Sequence, residues 1–348
     1  MTPIDFGRGT LVVRTRALSL RLDTRTIVTT TVFLALAVVV LLLSLASGEA
    51  PIPLPRVVRA LFGGGTAAEH MVVVDWRLPR ALLAVLLGAA LAVSGAIFQS
   101  LTRNPLGSPD VIGFSAGSYT GALVVIVIIG GGYHQIAAGS LAGGLTTAVL
   151  VYLLAYRRGV QGFRLIIVGI GVTAMLGAVN TWLVLTANLN EAMQAATWGA
   201  GSLNGLGHDQ LWPVLSVTAV LLPVTIAFGP VMRQLELGDD AAAATGVRGG
   251  TARLALVVVG VASTALATAA AGPIAFVSLV APQIARRITG TSGVALIPSA
   301  ALGALLLGAA DLAAQRLFAP SQLPVGVMTV SIGGCYFVWL LLRESNRS

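Results

Sequence analysis

RLPRALLAVLLGAALAVSGAIFQSLTRNPLGSPDVIGFSAG, residues 77–117, places a charged rim, an apolar span, a non-helical break and a small-residue helix side by side. Arg77 and Arg80 flank Leu78-Pro79 at its start. Ala81 to Thr102 carries no charge and is long enough as a helix to cross a hydrocarbon core of about 30 Å. Asn104-Pro105 and Ser108-Pro109 then stop the helix, because proline lacks an N–H and its ring clashes with the preceding turn. At membrane depth, unpaired backbone groups survive only where protein covers them or water fills a cavity. The stretch therefore reads as the wall of a pathway with a docking site at its outer end; an ordinary cytoplasmic turn is the competing reading of the break.

Composition supports a membrane setting. Length alone, 348 residues, would allow two soluble domains. Hydrophobic residues make up 56% and charged residues 10%, against about 25% charged in soluble domains, and the mean hydropathy is +0.90. The net charge of +8 comes entirely from arginines scattered between apolar runs, a pattern of topology determinants and not of a nucleic-acid face. Without lysine there is no Walker A motif and no Schiff-base chemistry. Cys335, the single cysteine, cannot form an internal disulfide and is expected to pack in the core. No cleavable leader is expected, since the N-terminal stretch is polar and Arg-rich up to Arg25 and the first apolar run is long enough to stay as a span.

Runs free of Asp, Glu and Arg divide the chain into ten candidate spans. They cover Thr26 to Gly48, Ala81 to Thr102, and two spans within Val111 to Tyr156 separated at Gly130-Gly131-Gly132-Tyr133-His134. Leu165 to Ala187, Leu211 to Gly229, two short spans within Leu254 to Ala285 broken at Gly272-Pro273, Val294 to Ala310 and Leu323 to Leu342 complete the set. Residues 1–25 and 344–348 are read as cytoplasmic tails around a transmembrane domain, 26–343. The proline-rich segment ending near Asp75 and the segment Asn188 to Gln210 are expected as outer loops, the second with a short surface helix, and Asp311 to Pro320 as a short amphipathic piece.

Arginine sets the orientation. The expected inner segments hold sixteen (Arg8, Arg14, Arg16, Arg21, Arg25, Arg103, Arg157, Arg158, Arg164, Arg233, Arg248, Arg253, Arg286, Arg287, Arg343 and Arg347) and the outer ones five, Arg56, Arg59, Arg77, Arg80 and Arg316. By the positive-inside rule both termini are cytoplasmic. Gly113, Gly117 and Gly121, and Gly139 and Gly143, recur every fourth residue and should let helix backbones approach closely.

Two motifs mislead. Gly113-Phe114-Ser115-Ala116-Gly117 fits the nucleophile elbow GxSxG, but His70, His134 and His208 all fall in expected outer loops. Ser115 is read as a packing residue. Gly169 to Ala174 fits GxGxxA inside a span, with no strand before it. The histidines show no metal-ligand spacing and are read as solvated. The segment Leu237-Gly238-Asp239-Asp240-Ala241 to Thr245-Gly246 is expected to form a short helix, capped near Gly238-Asp239 and ended at Gly246, that serves as a handle for a cytoplasmic protein.

Together with the opening stretch, LELGDDAAAATGV (235–247), AGPIAFVSLVAPQIARRITG (271–290) and LPVGVMTVSIGG (323–334) resemble the FecCD family, the permeases of ABC importers for iron-siderophores, haem and vitamin B12. FRLIIVGIGVTAML (163–176) and WGAGSLNGL (198–206) carry a finer likeness to the G-type permease subunit of ferric-enterobactin importers. The resemblance implies an all-α fold of about ten transmembrane helices of the type II importer class. It implies a chain that is not itself an enzyme and holds no cofactor, with ATP and Mg bound on a partner ATPase. Implied partners are a second permease subunit (a paralogue), two copies of the ATPase, an extracytoplasmic siderophore-binding protein and membrane lipid, with no nucleic acid.

By position within the motifs, the resemblance puts binding-protein docking at Arg77, Arg80 and Arg316. It puts the cytoplasmic gate at Asn104 and Leu106, with a second part around Gly162 and Phe163. ATPase coupling falls at Leu237, Gly238, Asp239, Asp240, Ala241, Thr245 and Gly246. The expected activity is import of a catecholate, enterobactin-like ferric siderophore across the bacterial cytoplasmic membrane. The alternatives are vitamin B12 or haem import. In a different class stands an ion-coupled secondary transporter, which would want ionisable groups inside its spans; only Asp110 approaches that description.

Overall fold

The structure, a computed structural model, describes residues 9–14, 19–48, 50–110, 112–156 and 162–345. Arg8, Arg16, Val111, Arg157, Arg158 and Arg347 lie outside the described residues, as do the side chains of Arg14, Arg21, Asp239 and Arg343.

The chain begins with a hairpin absent from the sequence reading: β1 (Thr10–Arg14) pairs antiparallel with β2 (Ser19–Asp23), Thr10 opposite Asp23. Everything else described is helical or connecting: α1 (Thr24–Ala46), α2 (Leu54–Leu61), α3 (Ala67–Thr102), α4 (Phe114–Ile129), α5 (Tyr133–Ala155), α6 (Gly162–Thr186) and α7 (Leu189–Gly199). Then follow α8 (His208–Ala227), α9 (Gly229–Glu236), α10 (Asp239–Ala244), α11 (Gly249–Ala271), α12 (Val277–Thr289), α13 (Leu296–Arg316) and α14 (Val325–Ser345). Seven of the described helices are long and apolar enough to cross a membrane. The shorter apolar α4 and α14 and the 13-residue α12 bring the set to the ten expected.

Helix α3 is the hub. It packs on α13, α11, α12 and α8, and most of its residues from Pro79 to Gln99 are buried. Glycine makes this possible. A Cβ on Gly95 would stand 1.7 Å from the Ser278 carbonyl oxygen, and one on Gly88 would stand 2.3 Å from that of Gly303. Backbones therefore touch directly, the mode that holds helices together in lipid, where burial from water contributes little. The α4–α5 pair uses the same device. Gly121 faces the Gly139 carbonyl and Gly143 faces that of Gly117, as the four-residue glycine spacing predicts.

Several sequence expectations are corrected. The second span starts not at Ala81 but at Ala67. Residues Met71–Arg77 widen into a π-helical stretch, which lets the helix run on through Pro79 although proline cannot donate to the preceding turn. The short helix expected within Asn188 to Gln210 is present, but the rest of the segment is not a solvated loop. Its first part is α7, and its second part enters the core: Leu203 is fully buried, Ser202 N–H donates to the Ala271 carbonyl and Gly326 N–H to that of Gly201. These hydrogen bonds satisfy backbone that could not otherwise leave water.

The ninth span does not stop at Ala310. Helix α13 continues to Arg316 and carries Asp311 inward, 1% exposed, against Arg80. Cys335 faces outward from α14 and is not packed in the core. The break at Gly272-Pro273 is confirmed, with Phe276 in left-handed conformation (φ 70°) opening α12 and its ring seated against Gly333.

The Arg80–Asp311 pair ties α3 to α13. Arg80 Nη2 lies 2.8 Å from Asp311 Oδ1, Nε lies 3.1 Å from Oδ2, and Nη1 donates to Gln322 Oε1 at 2.8 Å. Gln315 Nε2 donates to Asp311 Oδ2 as well. A pair this covered is worth little net, but removing one partner strands the other charge.

Two outcomes test this packing by unfolding in detergent. Gly95→Val should lower the thermal midpoint markedly, whereas Gly171→Ala, where an added Cβ meets nothing within 4 Å, should leave it unchanged. Asp311→Ala should cost about 3 kcal/mol, and Arg80→Met combined with Asp311→Leu should recover most of that loss. Equal stability of the single and double variants would refute the ion-pair account.

Candidate functional site

Named residues gather at the two ends of α3. At one end, α2 and the start of α3 close over the C-terminus of α1 through Leu45, Val57, Ala60, Val73 and Ala81. Arg77 Nη1 donates to the Leu45 carbonyl at 2.8 Å and Nη2 to that of Ala50 at 2.7 Å. It thereby satisfies carbonyl groups left open where α1 ends. A Cβ on Gly48 would lie 2.1 Å from Arg77 Nη2, so the glycine clears the path of the guanidinium.

With Arg80 bound to Asp311, both arginines of the expected free rim are held within the chain. Arg316 is exposed at the end of α13 and lies within electrostatic reach of Arg77. Arg56 and Arg59 on α2 are exposed beside them, and Arg56 approaches Glu69 at 3.4 Å. The charged face at this end is therefore made by Arg316, Arg56 and Arg59, with Arg77 and Arg80 beneath it.

The histidines divide. His70 and His134 are exposed as expected, but His208 is half-buried with Nε2 3.2 Å from the Val74 carbonyl. No group of three metal-ligating side chains occurs among the described residues.

At the other end, the break is a compact polar turn. Arg103 ends α3 in left-handed conformation (φ 50°, ψ 32°). Asn104 Oδ1 accepts from Leu106 N–H at 2.9 Å, and the Asn104 carbonyl accepts from Gly107 N–H at 2.9 Å. Leu106 is 43% exposed. Helix α12 holds the turn: Gln283 Nε2 donates to the Pro105 carbonyl at 2.8 Å, and Gln99 Nε2 reaches the Leu279 carbonyl at 2.9 Å.

Ser115 is more than packing. Its hydroxyl donates to Asp110 Oδ1, and Ser278 Oγ donates to Oδ2 at 3.1 Å. Desolvation pushes the Asp110 carboxyl above the usual carboxylate range, opposed by these two hydroxyl bonds. The second expected gate region, Gly162 and Phe163, opens α6 with Phe163 exposed, and Leu165 packs beside Ile112 and Phe114 from the break.

The segment expected to form a handle lies at this same end. Helix α9 packs Met232 and Leu235 onto Val93, Ala96 and Ile97 of α3. Gly238 (φ 119°) turns the chain into α10, and Gly246 (φ 84°) turns it out, as the sequence predicts. Leu237 is 78% exposed and Asp240 is exposed, while Ala242 is buried. The Thr245 hydroxyl donates to the Ala242 carbonyl at 2.8 Å, closing the elbow. Between handle, turn and α12 lies a cleft of about 500 Å³, lined by Gln99, Arg103, Asn104, Glu236, Gln283 and Arg286 among others.

Sequence reasoning missed Asp311, Gln283, Ser278 and Gln99. Each was legible as a lone polar residue in or beside an apolar run, but its partner lies roughly 170 or more positions away along the chain, as in Gln283–Pro105 or Arg80–Asp311.

Comparison with known proteins agrees with this architecture. The chain is 54% identical over 292 residues to the ferric enterobactin transport system permease protein FepG of Escherichia coli, covering 84% of this chain and 88% of that protein. It is 36% identical over 299 residues to the iron(3+)-hydroxamate import system permease protein FhuG of Bacillus subtilis, covering 83% and 89%. A solved structure of a metal-chelate type ABC transporter in an inward-facing conformation superposes with a TM-score of 0.81 at 24% identity, covering 90% of this chain and 98% of that one, a likeness of fold. The FecCD transport family matches residues 36–343, nearly the whole helical array described above, and the chain belongs to that family.

Proposed function

We propose that this multi-pass membrane protein is the permease subunit of an ABC importer that carries a catecholate, enterobactin-like ferric siderophore inward across the bacterial cytoplasmic membrane. The observation that carries the reading is the 54% identity to FepG over most of both chains. The arginine asymmetry supports placing both termini, the break and the handle on the cytoplasmic side.

In this reading the exposed face with Arg316, Arg56 and Arg59 receives an acidic binding protein. Arg77 and Arg80 set the relative position of α1, α3 and α13 beneath it. Helix α10 seats against a cytoplasmic ATPase, which binds the ATP and Mg this chain does not. A second permease subunit completes the pathway. Helix α6, which leaves Phe163, Ile170, Met175, Trp182 and Leu185 exposed, supplies a face for it or for lipid. ATP-driven movement of the handle then biases the two subunits between outward- and inward-open states. The iron arrives already chelated, so the pathway has no need of protein ligands to the metal.

An ion-coupled transporter would use a free carboxylate within a span. Asp311, buried in α13, is already neutralised by Arg80, and Asp110 lies in the turn before α4, outside the spans, held by Ser115 and Ser278; both favour the ATP-driven reading.

Uptake by proteoliposomes holding the assembled importer is the direct test. Ferric enterobactin should accumulate only with internal-face ATP, and excess ferric hydroxamate should not compete. Uptake under an ion gradient without ATPase would overturn the proposal. Docking is tested without breaking the ion pair by Arg316→Glu, which should weaken binding-protein affinity about tenfold and flatten its salt dependence. Asp239→Arg with Asp240→Arg should reduce co-purification of the ATPase, and a wild-type ratio would count against the handle assignment.

A further inference from the structure

The gate turn and the ATPase handle are separated in sequence by about 130 residues, yet one side chain spans them. Arg103 Nη2 donates to the Leu235 carbonyl at 2.8 Å. Leu235 is in the last turn of α9, directly before the elbow at Leu237-Gly238. Arg103 directly precedes Asn104-Pro105-Leu106. Its backbone has φ 50°, a region that suits glycine and strains a bulky residue. Helices that end this way commonly carry glycine at the left-handed position. A residue that holds the costly conformation while its side chain bridges to another element points to a use for that side chain.

The surroundings sharpen this. The cleft of about 500 Å³ lies between Glu236 at the end of α9, the turn and α12. The root of the handle packs on α3 through Met232 and Leu235, in a cluster with Val93, Ala96, Ile97 and Leu101 that reaches the last turn of α3. That apolar contact moves the body of α3. The Arg103 bond reaches the turn itself. On the far side, Gln283 holds the Pro105 carbonyl, so the turn is suspended between α9 through Arg103 and α12 through Gln283.

We propose that Arg103 is a positioning residue that transmits displacement of the handle to the gate turn. The proposal rests on the importer reading above: when the ATPase moves α10, the Leu235 carbonyl shifts with α9. The Arg103 guanidinium then pulls the residue adjoining Asn104, and Leu106 follows through its N–H bond to Asn104 Oδ1. Deleting the strut should leave ATP hydrolysis running while the gate no longer follows it.

Arg103→Gly is the informative variant, because glycine fits the left-handed backbone better than arginine and so removes the strut without harming the helix end. It is to be measured in the complete reconstituted importer with binding protein, beside Arg103→Lys and wild type. Arg103→Gly should retain subunit ratio and thermal midpoint, keep ATP hydrolysis within about twofold, and lower siderophore transported per ATP by about tenfold. Arg103→Lys, which keeps a donor, should restore part of that ratio. An unchanged transport-to-hydrolysis ratio in Arg103→Gly would overturn the proposal, and so would loss of assembly, which would make Arg103 structural only. Failure of the importer reading is distinguishable, since wild type itself would then show no ATP-dependent uptake.

Discussion

Backbone contact at glycine is the constraint on which the rest of the structure depends. Gly88 and Gly95 bring α3 against α13 and α12 until main chain meets main chain, and Gly117, Gly121, Gly139 and Gly143 do the same for α4 and α5. Lipid tails are as apolar as leucine, so a membrane helix gains little from burying leucine and much from close, extensive contact. The approach of α12 to α3 is also what brings Ser278 to Asp110, Gln283 to Pro105 and Gln99 to Leu279. Any side chain at residue 95 would push α12 away and break the polar ties around the turn with it.

The two ends of α3 use polar chemistry differently. At the end with Arg77 and Arg80, charge is drawn inward: one arginine bonds the Leu45 carbonyl at the end of α1 and the Ala50 carbonyl just beyond it, and the other neutralises a buried carboxylate on α13. These bonds fix three helices relative to one another, leaving Arg316, Arg56 and Arg59 to present positive charge outside. At the end with the break, single hydrogen bonds connect short elements around an open cleft. Few buried apolar contacts and exposed backbone turns are the features of segments that move at low cost. One end of the helix is fixed by buried charge, and the other is tied by single hydrogen bonds around a cleft.

Much of this was legible beforehand, for identifiable reasons. The ten-helix pattern follows from charge-free run length, since each span must satisfy its backbone internally. The handle helix followed from Gly238 and Gly246, whose positive φ angles bound it as their positions suggested. The errors share a cause as well. Asp311, Arg80 and the WGAGSLNGLG segment were read as facing solvent because polarity was read locally, whereas in the structure each polar group has a partner on another helix. Cys335 was placed inside for the same local reason.

The amino-acid sequence by itself determined the class of the protein, the order of its apolar spans, the position of the break, and the family that its motifs resemble. These depend on the run of residues along the chain: hydropathy, proline and glycine positions, and the count of arginines between spans. Only the tertiary structure decided which arginines remain exposed, which carboxylate is neutralised, and that Arg103 joins the break to the handle. Those outcomes depend on which helices lie side by side, and the pairing is set by glycine contacts between segments as far apart as residues 88 and 303.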